Sequence, residues 1–178
     1  ETSPVVTSNL LSIEDWTGTI GLPLPSTEVI VIDDEGVELP RGERGELAVR
    51  GPQVMRGYWN RPDATAQVLR DGWLCTGDIG TMDEEGFVYV VDRLKDVVIR
   101  GGENVYAAEL EAVLFEHPDI TEAAIIGVPH DRLGEEVGAV VRVRDGAALT
   151  EDDVRAQVAT RLAAFKVPAH VWITTDEL

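Results

Sequence analysis

The run Cys75-Thr76-Gly77-Asp78 puts a carboxylate directly after a glycine, where a strand is due to turn. An aspartate at such a point can cap its own backbone, which is the commonest use of a turn aspartate. It can also accept both hydroxyls of a ribose, and a cation with two aligned donors would complete that clamp. Arg93, fifteen residues on across an expected hairpin, is the candidate cation; its plainer reading is a surface charge beside Asp92. A second group of interest is Arg100-Gly101-Gly102-Glu103-Asn104. Paired glycines between two periodic segments mark a tight turn with positive φ, or a place where a ligand slides against bare backbone. Composition leaves both uses open. No Lys-Ser or Lys-Thr pair follows these glycines, so they are not a P-loop, and no third glycine opens the next helix as a dinucleotide fingerprint requires.

The remaining reactive side chains carry less. Cys75 has no base near it in sequence and reads as a small buried hydrophobe. His117, His130 and His170 lack metal-ligand spacing, and His117 before Pro118 reads as a helix-end residue. The acidic run 83 to 85 reads as a solvated turn. Trp16, Trp59, Trp73 and Trp172 are dispersed, and packing in a core or between subdomains is their expected role.

These residues need elements to hold them. Residues 1 to 92 read as β-rich: strands are predicted over 27–33 and 46–51, separated by turn chemistry at Pro40, Gly42 and Gly45. A short helix is predicted over 61–69 with Pro62 near its first position and Asp63 in its first turn. Two strands then flank the turn Asp83-Glu84-Glu85-Gly86, with Phe87, Tyr89 and Val91 sharing a face. After residue 96 the pattern alternates between α and β. Leu110, Val113 and Leu114 form an i, i+3, i+4 helix face opposed by Glu109 and Glu116, and Pro118 follows its end. Residues 122–129 read as a buried strand, and 136–144 places Val137, Ala139, Val141 and Val143 on one side. Thr150 with Asp153 resembles a capping box that starts a helix striped by Val154, Val158 and Leu162 and stopped at Pro168, before a last strand at 170–174. The change of texture falls on Asp92-Arg93-Leu94-Lys95-Asp96.

Composition limits the partners. The formal charge is −18 over 178 residues, opposite in sign to a phosphate-backbone binder, so nucleic acid is excluded as an expected partner. Such acidity also repels nucleotides unless local cations reverse the field. One cysteine precludes an internal disulfide, and no apolar run is long enough to span a bilayer; a cytoplasmic location is the expectation. The chain starts at Glu1 without a methionine, and a piece of a longer protein is expected.

The motifs, taken in order, resemble the C-terminal part of the acyl-CoA synthetase, luciferase and nonribosomal peptide adenylation superfamily, over essentially the whole chain. Glu1 with Thr2-Ser3-Pro4 is similar to the end of the family's Tyr-Gly-x-Thr-Glu motif. Residues 45–59, with Gly-Glu-Leu and Arg-Gly-Tyr, match a strand and loop of the family. Thr76-Gly77-Asp78 matches the Thr-Gly-Asp motif, residues 92–111 the hinge and the loop after it, and Phe165-Lys166-Val167-Pro168 a late structural motif.

The resemblance implies an α+β fold in two pieces. Residues 1–92 would be the β-barrel-like end of the large AMP-binding domain, 93–95 a hinge, and 96–178 a small mobile C-terminal domain. It further implies that Asp78 binds the ribose hydroxyls of ATP with help from Arg93, that Glu1 holds magnesium, and that Lys95 sits at the hinge. Gly101 and Gly102 would line the passage for the pantetheine arm of CoA, and Asn104 would lie near the adenylate. The implied partners are ATP, Mg, CoA, a small carboxylic acid and the rest of the N-terminal domain. The implied reaction is AMP-forming acyl-CoA ligation through an acyl-adenylate. Two expected parts, the Ser/Thr/Gly-rich phosphate loop and a late Gly-Lys with the catalytic lysine, have no counterpart here, and Lys166 reads as a surface lysine. The chain alone is therefore expected not to adenylate. Competing readings are a segment of a peptide-synthetase adenylation domain and a non-catalytic nucleotide- or CoA-binding module.

Overall fold

Valine and isoleucine fill both faces of the strand Glu28–Ile32, and that decides its place in the first sheet. In a computed structural model that describes residues 1–9 and 18–177, Val29 and Val31 point into one apolar cluster with Leu47, Val49, Met82 and Val88. Ile32 joins Ala48 and Cys75 in a second cluster, which Ile30 and Trp73 pack against. A strand with two apolar faces belongs in a sheet covered on both sides, whereas strict alternation of apolar and polar residues would mark a half-exposed one. The chain divides into two compact units, Glu1–Leu94 and Lys95–Leu178.

In the first unit, short strands β1 (Thr7–Ser8) and β2 (Leu22–Pro23) pair with each other. The main sheet contains β3 (Glu28–Ile32), β4 (Gly45–Arg50), β5 (Leu69–Arg70), β6 (Trp73–Met82) and β7 (Val88–Arg93), in the order β3-β4-β6-β5, with β7 also on β6. Every pairing is antiparallel. Helix α1 (Pro62–Val68) begins with its proline in the first turn, where the missing N–H costs nothing. Glu28 and Arg50 stand opposite each other on β3 and β4 and form a two-pronged ion pair at 2.9 and 2.6 Å, while the guanidinium also lies 4.4 Å from the centre of the Trp73 ring. The Arg50 hydrogen bond holds the Glu28 carboxyl below its usual range.

The second unit has β8 (Val98–Arg100), β9 (Glu103–Val105), α2 (Ala107–Phe115), β10 (Ile120–His130), β11 (Gly134–Val143), α3 (Glu151–Ala159) and β12 (His170–Thr174). Its sheet runs β10-β11-β8-β9, with β12 parallel to β11. The expected face of β11 forms the centre of the core: Val137, Ala139 and Val141 are fully buried against Leu110 and Leu114 of α2 and Val154 and Val158 of α3. Full burial of a leucine stabilises by roughly 2 kcal/mol, so the α2 face alone accounts for several. Gln157 of α3 donates to the Val113 carbonyl of α2, and Glu111 of α2 accepts the Ile125 N–H of β10 at 3.1 Å.

Two expectations are corrected by this unit. The segment 122–129 is part of a longer strand, and it is only partly buried: Ile126 is 42% exposed. Helix α3 does not run to Pro168. It ends at Ala159, and a separate 3-10 turn at Ala164–Lys166 fills the interval, so Leu162 packs on the core from outside the helix. The capping box is present, with Thr150 accepting the Asp153 N–H at 3.2 Å and Asp153 accepting the Thr150 N–H at 2.9 Å. Two tryptophans lie outside a core, Trp59 at 89% and Trp172 at 45% exposed, whereas Trp73 packs against the Ile32, Ala48 and Cys75 cluster beneath Arg50, and Trp16 falls outside the described residues.

Candidate functional site

A cavity of about 260 Å³ opens in the first unit. Its wall is apolar, built from Val29, Leu47, Val49, Leu74 and Val88, and its polar groups are Glu1, Thr76, Asp78 and Arg93 among others. The Arg93 Nε lies 3.3 Å from Asp78 Oδ1, and both side chains remain partly open to solvent at 59% and 37%. Glu1, Asp78 and Arg93, named from widely separated stretches of sequence, thus line one space.

Two irregularities of the sheet produce this arrangement. Between β4 and β6 the pairing steps from Glu46↔Ile79 to Ala48↔Cys75, so Thr76, Gly77 and Asp78 face one residue of β4. Gly77 takes φ +73, a left-handed conformation that glycine adopts without strain. The local amides turn to side chains: Gly77 N–H is accepted by Glu46 Oε1 at 2.8 Å and Asp78 N–H by Thr76 Oγ1 at 3.1 Å. Between β6 and β7 the ladder runs Met82↔Val88, Thr81↔Tyr89, Gly80↔Val90 and then Ile79↔Asp92, Asp78↔Arg93. Val91 is the extra residue of a β-bulge, and bulges commonly re-aim side chains beside sites. Asp92 is turned inward, 9% exposed, with its Oδ1 accepting the Arg93 N–H at 2.8 Å.

Glu1 is tied to the loop after β4. Its carbonyl accepts the Met55 N–H at 2.8 Å, and its carboxylate accepts the Tyr58 hydroxyl. That bond pushes the Tyr58 phenol above its usual range, because ionised tyrosine could not donate. Tyr58 is fixed in turn by Thr65, whose Oγ1 accepts the Tyr58 N–H at 2.9 Å; a side chain at Gly57 would strike Thr65. Tyr58 and Glu46 are site residues that sequence reading passed over. Each lies inside a quoted motif, Arg-Gly-Tyr and Gly-Glu-Leu, where it was read as pattern and not as a contact. Among the described residues no cluster of three ligands can enclose a metal ion. A single carboxylate still suits magnesium, which keeps most of its waters and is carried mainly by substrate phosphates.

The other candidates lie in the second unit. Lys95 is exposed within a 3-10 turn at Leu94–Asp96. Gly101 and Gly102 are the two-residue loop of the β8–β9 hairpin, between the pairs Arg100↔Glu103 and Ile99↔Asn104. Their φ values of +62 and +89 are those of a mirror-image turn that favours glycine at both places. A side chain at Gly101 would meet Leu133, whereas one at Gly102 would meet nothing within 4 Å. Asn104 is exposed on β9, opposite Ile99.

The minor candidates resolve simply. Cys75 is buried, and burial pushes its thiol up, away from thiolate chemistry. His117 follows α2 and accepts the Asp119 N–H at 3.2 Å through Nδ1. Asp83 accepts the Phe87 N–H at 2.8 Å to close the acidic turn, with Glu84 and Glu85 exposed. Lys166 is not the surface lysine expected: its side chain is 14% exposed and paired with Glu109 of α2.

Both units together have the fold of adenylate-forming enzymes. The ATP-bound MatB of Rhodopseudomonas palustris superposes with a TM-score of 0.83 at 43% identity, covering 89% of this chain and 32% of that one. Models of the AMP-binding enzyme and of the AMP-binding enzyme C-terminal domain match residues 1–59 and 109–178. The long-chain-fatty-acid–CoA ligase of Yersinia pestis is 50% identical over 168 residues, 94% of this chain and 30% of that protein. A feruloyl-CoA synthase of Amycolatopsis is 49% identical over 157 residues, 88% of this chain and 32% of that protein. The chain belongs to the AMP-binding enzymes of the acyl-CoA synthetase superfamily. It spans about 30% of the length of the long-chain ligases it matches.

Proposed function

We propose that this chain is part of an AMP-forming acyl-CoA ligase, in which 1–92 closes the large AMP-binding domain, 93–95 is the hinge and 96–178 is the small rotating domain. The observation that carries this reading is the convergence of Glu1, Asp78 and Arg93 on one cavity in a chain of this family. The Asp78 carboxylate accepts the two ribose hydroxyls of ATP, and Arg93 holds that carboxylate and adds positive charge in a chain of charge −18. Glu1, oriented by the Tyr58 hydroxyl, is the residue that would hold magnesium beside the phosphates. In the first step a substrate carboxylate oxygen attacks the α-phosphorus of ATP and pyrophosphate leaves. In the second, the CoA sulfur attacks the acyl carbon, its proton is lost and AMP departs. Lys95 lies at the turn about which the small domain changes its presentation, Gly101 and Gly102 border the pantetheine arm, and Asn104 approaches the adenylate.

A cavity of about 260 Å³ suits the sugar and not the whole of a nucleoside triphosphate, since ligand pockets run from roughly 300 to 1,000 Å³. The isolated chain is expected to release no pyrophosphate from ATP with any carboxylate, because its residues include neither a Ser/Thr/Gly-rich phosphate loop nor the late Gly-Lys of the family. The reading as a whole is tested on the full-length protein by ATP- and CoA-dependent thioester formation, with fatty acids of increasing length and aromatic acids. The names of the relatives make fatty acids the first class to assay. Absence of both AMP and thioester across that panel removes the ligase reading.

A further inference from the structure

The β8–β9 hairpin is weakly attached through its backbone. Strand β8 pairs with β11 at a single register position, Arg100 opposite Gly134, and β9 has only β8 beside it in the sheet order. A two-stranded hairpin is marginal in water by itself. Val98 and Val105 anchor its open end in the core, and the turn between β10 and β11 fixes the end that carries the glycine tip. The Gly101 N–H is accepted by the Leu133 carbonyl at 2.8 Å, and the Ile99 N–H by the Glu135 carboxylate, Oε2, at 2.9 Å. Arg100 lies 3.9 Å from Glu136. The Glu135 side chain also needs room of its own: a Cβ added to Gly127 would fall 2.5 Å from Glu135 Oε1, so that glycine leaves the space the carboxylate fills.

We infer that Glu135 is a positioning residue for thioester formation, holding the Gly101-Gly102 tip in place through the Ile99 amide. This rests on the proposed role of those glycines as a CoA passage. A hydrogen bond to a charged acceptor is stronger than a neutral one, and here it acts on the strand that ends in the tip. Glu135 touches no part of ATP in this reading, so its loss separates the two half-reactions.

The test uses the full-length protein with Glu135→Ala, Glu135→Gln and Gly102→Leu. In Glu135→Ala, carboxylate-dependent ATP–pyrophosphate exchange stays within about twofold of the parent, while kcat/KM for CoA falls about tenfold, mostly through KM, the size set by one charged hydrogen bond. Glu135→Gln, which keeps an acceptor oxygen, restores most of that loss. Hydrogen exchange at the Ile99 amide quickens about tenfold in Glu135→Ala, while the Val141 amide in the core is unchanged. Equal loss of both half-reactions, or unchanged thioester formation in Glu135→Ala when Gly102→Leu is impaired, overturns the positioning role. Intact thioester formation in Gly102→Leu overturns the passage reading instead, so the two failures are told apart.

Discussion

Asp78 stands opposite Arg93 because Val91 is one residue too many. Had the β6–β7 ladder kept the register of Gly80↔Val90, Asp78 would face Asp92, and two carboxylates would meet where an ion pair now forms. Like charges directly opposite on a sheet are destabilising, and opposite charges favourable. The bulge thus exchanges the partner of the cavity-lining aspartate without changing any side chain.

Inserting an alanine after Val91 in the full-length protein should therefore impair ATP use although Asp78 and Arg93 are both retained, because it sets Asp92 opposite Asp78. Val91→Ala, which preserves the count, should have little effect. Asp78→Ala should raise KM for ATP by about ten- to a hundredfold, the worth of one to two charged hydrogen bonds, with a smaller change in kcat. Steady-state kinetics on the three variants decides the matter. A Val91→Ala defect as large as that of the insertion would show that the valine matters as a side chain and not as a spacer.

At the hairpin tip, Gly102→Leu should reduce thioester formation and spare adenylation, with Gly102→Ala as the necessary companion. Both substitutions strain a backbone at φ +89, and Leu alone projects bulk into the open space beyond. A loss specific to Leu supports a passage. Equal loss in Ala and Leu would reduce the glycines to a turn requirement.

Acid should loosen the start of α3. The Thr150 hydroxyl, and next its backbone N–H, hold the Asp153 carboxyl below its usual value. A folded pKa lower than the unfolded one gives stability that is complete above about pH 4 and disappears as pH falls through the folded value. Asp153→Asn should be less stable than the parent at neutral pH, and the two urea midpoints should converge as pH falls below the usual carboxylate range. Parallel curves down through that range would show that the carboxylate contributes nothing to the cap.

Lys166→Met should destabilise the second unit by about 2 kcal/mol, less than the full cost of breaking a buried pair because Glu109 keeps 28% of its side chain exposed. Adding Glu109→Gln to Lys166→Met should recover part of that loss, as coupled neighbours do. Denaturant unfolding of the single and double variants measures it, and simple additivity would deny the coupling.

Much of the strand and helix pattern could be read from local order. The valines of β11, the stripe of α2 and the Thr150–Asp153 box each carry their signal within a dozen residues. What escaped reading depends on partners far along the chain. The Val91 bulge is a property of two strands in register, and neither strand marks it alone. Lys166 meets Glu109 across 57 residues, so the local sequence showed only a lysine in a loop. Pro168 predicts the stop of α3, but the helix ends at Ala159 and a separate 3-10 turn at Ala164–Lys166 precedes the proline. The cavity residues Glu1, Asp78 and Arg93 could be named one at a time from motif order. Their shared cavity needed the apolar wall of β3, β4 and β6, which periodicity marks as core but not as pocket.

The bond from Glu111 to the Ile125 amide has a meaning outside catalysis. Strand β10 ends its sheet, and an unpaired edge invites another chain to add itself strand by strand. Here a carboxylate already occupies one of the amides such an intruder would need. A second molecule would have to evict a bonded, negatively charged oxygen before it could extend the sheet, and α2 stands over the approach. The same helix that fills the core thus takes up one of the hydrogen-bonding places along that edge.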